Sequence, residues 1–544
     1  MRRHAVTLAL LLAVSAAVQG WMVRAAATPA LDAVRFAAIA GRMEREGVWP
    51  AIRRESEHPL FPLLVYGAHA VRRSVLPASP DDGAAAVQFA AAVPLWLCVV
   101  PVYFMLLRLF AARPRIALGG TLLFCLLPST ARLGADGISD STHLLLAATA
   151  LWAIVEWMAR PAAGWLLLSG VATGLALTAR AEAVLIVPAL AAALLRDQIR
   201  GDTRRPWRQL AIGGGCLLVG LAVVLGPYLI SAEATTPRRA IARILGRGDG
   251  PAGVKAAPSA AGSTPAAPRT TALDGTPLVF PAKETSTSTR FRGFIPAAVE
   301  YARELAEAFN VGIGLLALWG VCACRRGWNS ADRFFAMLFA FASVAALYVG
   351  ARAGYLSSRH LLLVVPVGLG WAALGADDLG GRIAARTGFA GPADACRSAW
   401  SARRSLFGGA AILFAAALCL PRLAAPLHAS REGHRQAGEW LAAQPETGLV
   451  LDTRGWTGLY SGLETRRYDE ARAAFGDARL AYVVVERPEL EFASPRAETL
   501  RHLLASSATP VAEFSSPVGE HGASVVVYRW QPERVAGAAE SRRE

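Results

Sequence analysis

The chain has 544 residues, of which 54% are hydrophobic and only 18% charged, and its mean hydropathy is +0.36. That balance excludes a soluble multidomain protein and assigns the bulk of the chain to a bilayer. The formal charge of +15 arises from 56 Lys and Arg against 41 Asp and Glu, and because the arginines cluster between apolar runs it reports membrane topology and calls for no nucleic acid partner.

Apolar runs able to cross roughly 30 Å of hydrocarbon as helices fall near 5–23, 85–107, 116–133, 142–158, 165–179, 183–195, 209–230, 309–324, 334–350, 361–376 and 406–421, about eleven spans. The first, MRRHAVTLALLLAVSAAVQG followed by Arg24-Ala25-Ala26-Ala27, also has the layout of a signal peptide cleaved near residue 27. The arginines favour its retention as a span. With the N-terminus inside, the cytoplasmic loops hold Arg108, Arg113, Arg115, Arg160, Arg196, Arg200, Arg204, Arg205, Arg208, Arg325, Arg326, Arg333, Arg382, Arg386, Arg397, Arg403 and Arg404, while the short loops opposite hold Arg132, Arg180, Arg352 and Arg359. This is the positive-inside pattern. An odd number of spans then puts the C-terminus outside, as expected for a bacterial inner-membrane protein with a cytoplasmic N-terminus and a periplasmic C-terminus.

Residues 1–421 thus read as the transmembrane domain. Within it, 24–84 form a first external loop, with apolar residues at helical spacing in 31–43 (Leu31, Val34, Phe36, Ile39, Met43) and again in 60–71, which suggests two helices lying on the membrane surface. Residues 231–308 form a long external loop whose stretch 249–290, rich in Ala, Pro, Gly, Ser and Thr, reads as flexible. Six of the seven cysteines fall in spans and Cys396 in a cytoplasmic loop, so no disulfide framework or zinc spacing is present. From 422 to 544 the chain changes character: the helical HRQAGEWLAAQ, the strand-like GLVLDT, LAYVVVER and ASVVVYRW, and a helix near 496–505 describe a small external α/β domain.

The polar residues segregate on this topology. Asp32, Glu57 and His58 lie in the first external loop, Asp136 and Asp140 at the junction of the third and fourth spans, Arg180 and Glu182 between the fifth and sixth, and Arg359 and His360 before the tenth. Each has an ordinary reading: an Asp at a helix start caps it, and an Arg at a span end snorkels. Their convergence on one external rim weighs against that. Carboxylates there can take a proton from an acceptor hydroxyl or hold a divalent metal, while Arg and His neutralise a leaving phosphate.

The order LDAVRFAAIA, SEHPLFPLLV, RLGADGISDSTHLL, GVATGLALTARAEAVL and GYLSSRHLLLVVP resembles the GT-C glycosyltransferases, specifically the bacterial relatives of the protein O-mannosyltransferases and aminoarabinose transferases (glycosyltransferase family 39-like), over roughly residues 1–380. The resemblance implies an all-α polytopic fold and an inverting transfer of sugar from a polyprenyl-phosphate donor to an external lipid, glycan or protein acceptor. It implies Asp32 as general base, Asp136 or Asp140 positioning the acceptor or a divalent metal such as Mg or Mn, and Arg180, Arg359 and His360 holding the lipid phosphate. Glu57, His58 and Glu182 would line the same site. Two departures stand out: the family's Asp-Glu pair is Asp32-Ala33 here, and the second proline of its His-Pro-Pro is Leu60.

A lipid-linked donor suits the topology, because soluble nucleotide sugars stay on the cytoplasmic side and the chain has no Walker A or dinucleotide-binding glycine motif. The competing readings are a transporter or flippase of lipid-linked substrates, which would carry ionisable residues at mid-span and repeated halves, and a catalytically silent sensor or assembly protein acting through its α/β domain.

Overall fold

A computed structural model describes residues 2–55, 57–111, 113–201, 205–231, 293–324, 327–387, 393–446, 448–516 and 524–531. The stretch 249–290, expected to be flexible, lies outside the described residues. The protein is an all-α polytopic membrane protein followed by a small C-terminal α/β sheet region.

Every apolar run becomes a helix, but the helices are less uniform than a count of eleven spans implies. Among the described residues seven are long and apolar enough to cross by themselves: Arg3–Ala25, Asp82–Leu109, Asp140–Ala159, Trp207–Ile230, Ser330–Arg352, Ser358–Arg386 and Trp400–Ala424. Two bent pairs, Pro114–Leu126 with Pro128–Asp136 (48°) and Phe294–Phe309 with Val311–Ala323 (95°), bring the number to nine. The first bend has a steric cause, since the residue before Pro128 is driven out of the helical region and Leu127 adopts ψ 122°. At the second, Asn310 takes the left-handed φ of 59°, which asparagine tolerates better than most residues. The two remaining runs form helices of 15 residues, Ala163–Leu177 and Ile186–Arg200. At a rise of ~1.5 Å per residue each is about 22 Å long, short of the hydrocarbon thickness.

Small residues let the helices approach closely. A Cβ on Gly320 would lie 1.9 Å from the Trp371 carbonyl oxygen, and one on Gly170 2.2 Å from that of Leu217; these helix pairs meet backbone to backbone. The first helix belongs to the same core. Its Leu11 and Met22 are buried, and its Gln19 Nε2 donates to the Ala131 carbonyl at 3.1 Å.

The ends of the helices differ in chemistry. At one end, arginines assigned to cytoplasmic loops form pairs between helices: Arg108 with Glu156 (3.4 Å), Arg333 with Asp197 (2.6 Å), and Arg113 and Arg404 with Asp377. Reporter fusions check the orientation: fusions after Arg205 and Arg404 should report cytoplasm, and one after Trp530 the outside. An inside signal after Trp530 would invert the assignment.

The first loop differs from its expected form. It holds three helices, Leu31–Glu46, Val48–Arg54 and Leu60–Val75, and the residues expected to anchor the first of them in the lipid interface are covered by protein instead. Phe36 packs edge-on against Phe61 at 4.9 Å, Val34 joins a buried cluster with Trp456 and Leu459, and of the expected anchors only Leu31 is exposed. An amphipathic stripe specifies an apolar neighbour without specifying which.

Beyond the last span, among the described residues, five strands pair in the order β2-β1-β3-β5-β4, where β1 is Leu449–Asp452, β2 Thr465–Arg466, β3 Leu480–Glu486, β4 Ala508–Phe514 and β5 Val525–Trp530. β1 runs parallel to β2 and β3, and β5 antiparallel to β3 and β4. Alternation divides the faces. Leu449, Leu451, Val483 and Val485 pack on helices Ala471–Phe475 and Pro495–Ser507. Val450, Tyr482 and Val484 pack on helix Glu432–Ala442. The result is three layers, α/β/α.

Candidate active site

Four chain segments meet at the other end of the bundle. Asp32 occupies the first turn of helix Leu31–Glu46 and Asp140 that of Asp140–Ala159. Arg180 is extended (φ −157°, ψ 144°) between the end of Ala163–Leu177 and a short 3-10 turn, Ala181–Leu185. Arg359 is the second residue of the 3-10 turn Ser358–Val364, which Ser357 caps.

These side chains form one continuous network. Arg180 Nη1 donates to Asp140 Oδ1, while its Nη2 donates to Glu182 Oε1 at 2.7 Å and its Nε to Oε2 at 3.2 Å. Arg359 Nη2 and Nε donate to Asp140 Oδ2 at 2.6 and 3.1 Å, and its Nη1 reaches Asp32 Oδ2 at 3.0 Å. Exposure runs along the chain of contacts: the Asp140 side chain is 1% exposed and that of Asp32 53%. A buried carboxylate thus fixes two guanidiniums, and a third carboxylate at the open edge shares one of them.

Histidines border the network. The Leu60 N–H donates to the Thr178 carbonyl at 3.1 Å, which brings the His58-Pro59 turn against the Arg180 segment. Burial pushes the His58 imidazole below its ordinary value; Glu182 and Glu57 oppose the shift and Arg180 adds to it, so the ring is neutral at neutral pH. Its Nδ1 is buried with no hydrogen-bond partner among the described residues. Glu182 resists charging through burial, yet the Arg180 guanidinium bonded to it holds its carboxyl well below the usual carboxylate range.

The other expected site residues lie apart from this chain of contacts. Glu57 pairs with Arg35 at 2.5 Å. His360 is a capping residue, its Nδ1 lying 3.3 Å from the Ser357 N and 3.0 Å from the Ser357 carbonyl oxygen. The Asp136 carboxylate meets His428 Nε2 at 2.8 Å. The sequence singles out neither Arg35 nor His428 as a site residue. Arg35 stands one helical turn from Asp32 and was within reach of spacing arguments; His428 follows the last span, on the side where loop parity already placed the site.

A divalent cation does not fit this arrangement. Such an ion needs several oxygen donors with lone pairs converging on it, whereas both Asp140 oxygens accept from guanidiniums, Asp32 Oδ2 does too, and Asp136 is engaged elsewhere. Among the described residues no group of three or more His, Cys, Asp and Glu could hold a metal ion. Asp136 and Asp140, expected as a metal pair, have separate partners because Asp136 closes one helix while Asp140 opens the next, with the left-handed Gly137 between them.

The sequence model of a family described as dolichyl-phosphate-mannose-protein mannosyltransferase matches residues 80–226, a segment that contains Asp140, Arg180 and Glu182 but neither Asp32 nor Arg359. No curated protein sequence matches the chain significantly. Among solved structures, ArnT from Cupriavidus metallidurans bound to undecaprenyl phosphate is similar at a TM-score of 0.57 and 13% identity, over 96% of this chain and 97% of that one. The chain has the GT-C fold. The apo oligosaccharyltransferase of Archaeoglobus fulgidus is similar at 0.54 and 12%, over 93% of this chain and 73% of that one. The archaeal oligosaccharyltransferase AglB from the same organism, in complex with an inhibitory peptide and a dolichol-phosphate, gives 0.51 and 11%, over 95% and 74%; a further structure of the Archaeoglobus fulgidus oligosaccharyltransferase is a complex with Zn and sulfate. The GT-C fold is the one that the resemblance read in the sequence implies, and the family match over residues 80–226 agrees with it.

Proposed function

We propose that this GT-C protein transfers a sugar, with inversion, from a polyprenyl-phosphate donor to an external lipid, glycan or protein acceptor, without a metal ion. The observation that carries the reading is Arg359, held on its buried side by Asp140 and shared on its open side with Asp32.

The charges suggest how the site works. Three carboxylates face two guanidiniums, and the surplus carboxylate is the exposed Asp32. A donor phosphate that takes the place of Asp32 on Arg359 keeps that guanidinium paired with an anion and frees the Asp32 oxygen beside the anomeric carbon. The acceptor oxygen then attacks that carbon, its proton passes to Asp32, and the bond from the carbon to the phosphate oxygen breaks with the electron pair leaving on polyprenyl phosphate. Arg359 and Arg180 stabilise the negative charge that develops there, and they are preorganised by Asp140 and Glu182. A guanidinium has more N–H donors than these carboxylates consume. His58, neutral and set against the Arg180 segment, supplies a further hydrogen-bonding group to the phosphate.

Transfer in membrane fractions from a panel of radiolabelled undecaprenyl-phosphate hexoses and pentoses tests the activity; label that never leaves the lipid with any of them rejects it. Arg359→Lys tests the phosphate site, because it keeps a charge for Asp140 but loses the two-pronged geometry. Its affinity for undecaprenyl phosphate should fall about 10- to 100-fold, the range of one charge-assisted hydrogen bond, with the protein still folded. Unchanged affinity would remove Arg359 from the phosphate site.

A further inference from the structure

The segment between the first span and Asp32 is held from the C-terminal side of the chain. Residues 26–30 contain no helix, so their conformation, and with it the placement of Asp32 two residues later, depends on outside partners. The Ala27 N–H donates to the Leu427 carbonyl at 3.0 Å, and the Leu427 N–H to the Ala25 carbonyl at 3.2 Å, forming a parallel bridge. Two side chains of the α/β region reach the same strand: Trp456 Nε1 donates to the Pro29 carbonyl at 3.1 Å and the Tyr460 hydroxyl to the Ala27 carbonyl at 3.3 Å. The Ala30 N–H donates to the Asp136 carbonyl at 2.9 Å, while the Asp136 carboxylate is tied to His428.

The gripping groups are themselves fixed. His428 takes the left-handed φ of 55°, a conformation that costs energy in a residue with a Cβ and persists only where its surroundings enforce it. Trp456 is buried, with the Arg431 guanidinium 4.7 Å from its ring centroid and the His434 ring at 4.9 Å. Its loop also covers the catalytic helix: Val34, two residues past Asp32, lies in one buried cluster with Trp456, Leu459 and Tyr460.

We infer that Trp456, Tyr460 and His428 are positioning residues for Asp32, so that the α/β region is a structural part of the active site. The inference rests on the reading of Asp32 as the base. Asp32 meets Arg359 through the tip of its side chain, while the backbone that leads to it is tied by hydrogen bonds to residues about 400 positions away in sequence. Rate is sensitive to such placement, since a shift of about 1 Å can cost on the order of 100-fold.

The test uses full-length protein and the variants Trp456→Phe and Tyr460→Phe, which keep an aromatic ring and remove the donating N–H or O–H. Hydrogen–deuterium exchange is the first readout: the peptide covering residues 26–33 should exchange several-fold faster in the double variant, while helix Asp82–Leu109 is unchanged. The second is kinetic. Transfer from an undecaprenyl-phosphate-linked sugar should fall about 10- to 100-fold, undecaprenyl phosphate should bind as before, and the two substitutions should cost nothing further when Asp32 is already Asn. Unaltered exchange at 26–33, or an equal additional loss in the Asp32→Asn background, overturns the inference. Should Asp32→Asn itself be active, the base assignment fails, and the exchange measurement still decides whether the C-terminal residues hold this strand.

Discussion

Asp32→Asn should retain folded protein and undecaprenyl phosphate binding while transfer drops by roughly 10²–10⁴-fold, the effect typical of a lost acid–base group. The substitution is nearly isosteric and still accepts a hydrogen bond from Arg359 Nη1, now 3.0 Å from Asp32 Oδ2, so the change is confined to charge and proton affinity. Asp32 is the exposed member of the network and is not needed to neutralise a buried partner, which Asp140 already does; the variant should therefore melt close to the parent. A structural Asp in a first helical turn predicts the reverse, because losing its charge costs only the ~0.3–1 kcal/mol of a helix-dipole contact and leaves transfer intact. Near-parental transfer by well-expressed Asp32→Asn would sink the proposed mechanism.

Replacing Asp140 by Asn should act on the fold as well as on the chemistry. Its carboxylate is almost wholly removed from solvent and accepts from both arginines. Breaking such a buried pair from one side costs about 3–5 kcal/mol, because the charges left behind have no water to take the place of their partner. Two guanidiniums would then repel each other across a neutral amide. We expect a clearly lowered thermal midpoint in detergent and no measurable transfer. Asp140→Asn combined with Arg359→Gln removes the guanidinium that keeps only the exposed Asp32 as a partner, while Arg180 retains Glu182, and should recover part of the stability but none of the activity, which separates the fold from the site. A melting curve of Asp140→Asn superimposable on the parent's would mean that Asp140 does not hold the arginines.

The sequence by itself determined where the helices lie and which loops share a side of the membrane. Hydropathy is a local property with a length scale set by the bilayer, and arginine placement added the parity of the loops. Together they brought Asp32, Asp140, Arg180 and Arg359 to one rim. The strands GLVLDT, LAYVVVER and ASVVVYRW were legible for a similar reason, as short apolar runs bounded by turns.

Only the tertiary structure decided which of those charges touch. A contact such as Arg359 with Asp32 joins residues 327 positions apart, and it depends on how each helix is rotated about its axis and on where neighbouring ends stop, neither of which hydropathy encodes. Asp136 and Asp140 look equivalent in GADGISD, yet the left-handed Gly137 between their helices sends one to His428 and the other to the arginines. His360 reads as a phosphate ligand next to Arg359, and only the folded 3-10 turn shows its Nδ1 lying against the Ser357 backbone. The apolar stripe of Leu31–Glu46 fits a membrane surface and a protein surface equally well, since burial of apolar area is non-directional; packing against Phe61 and Trp456 chose between them.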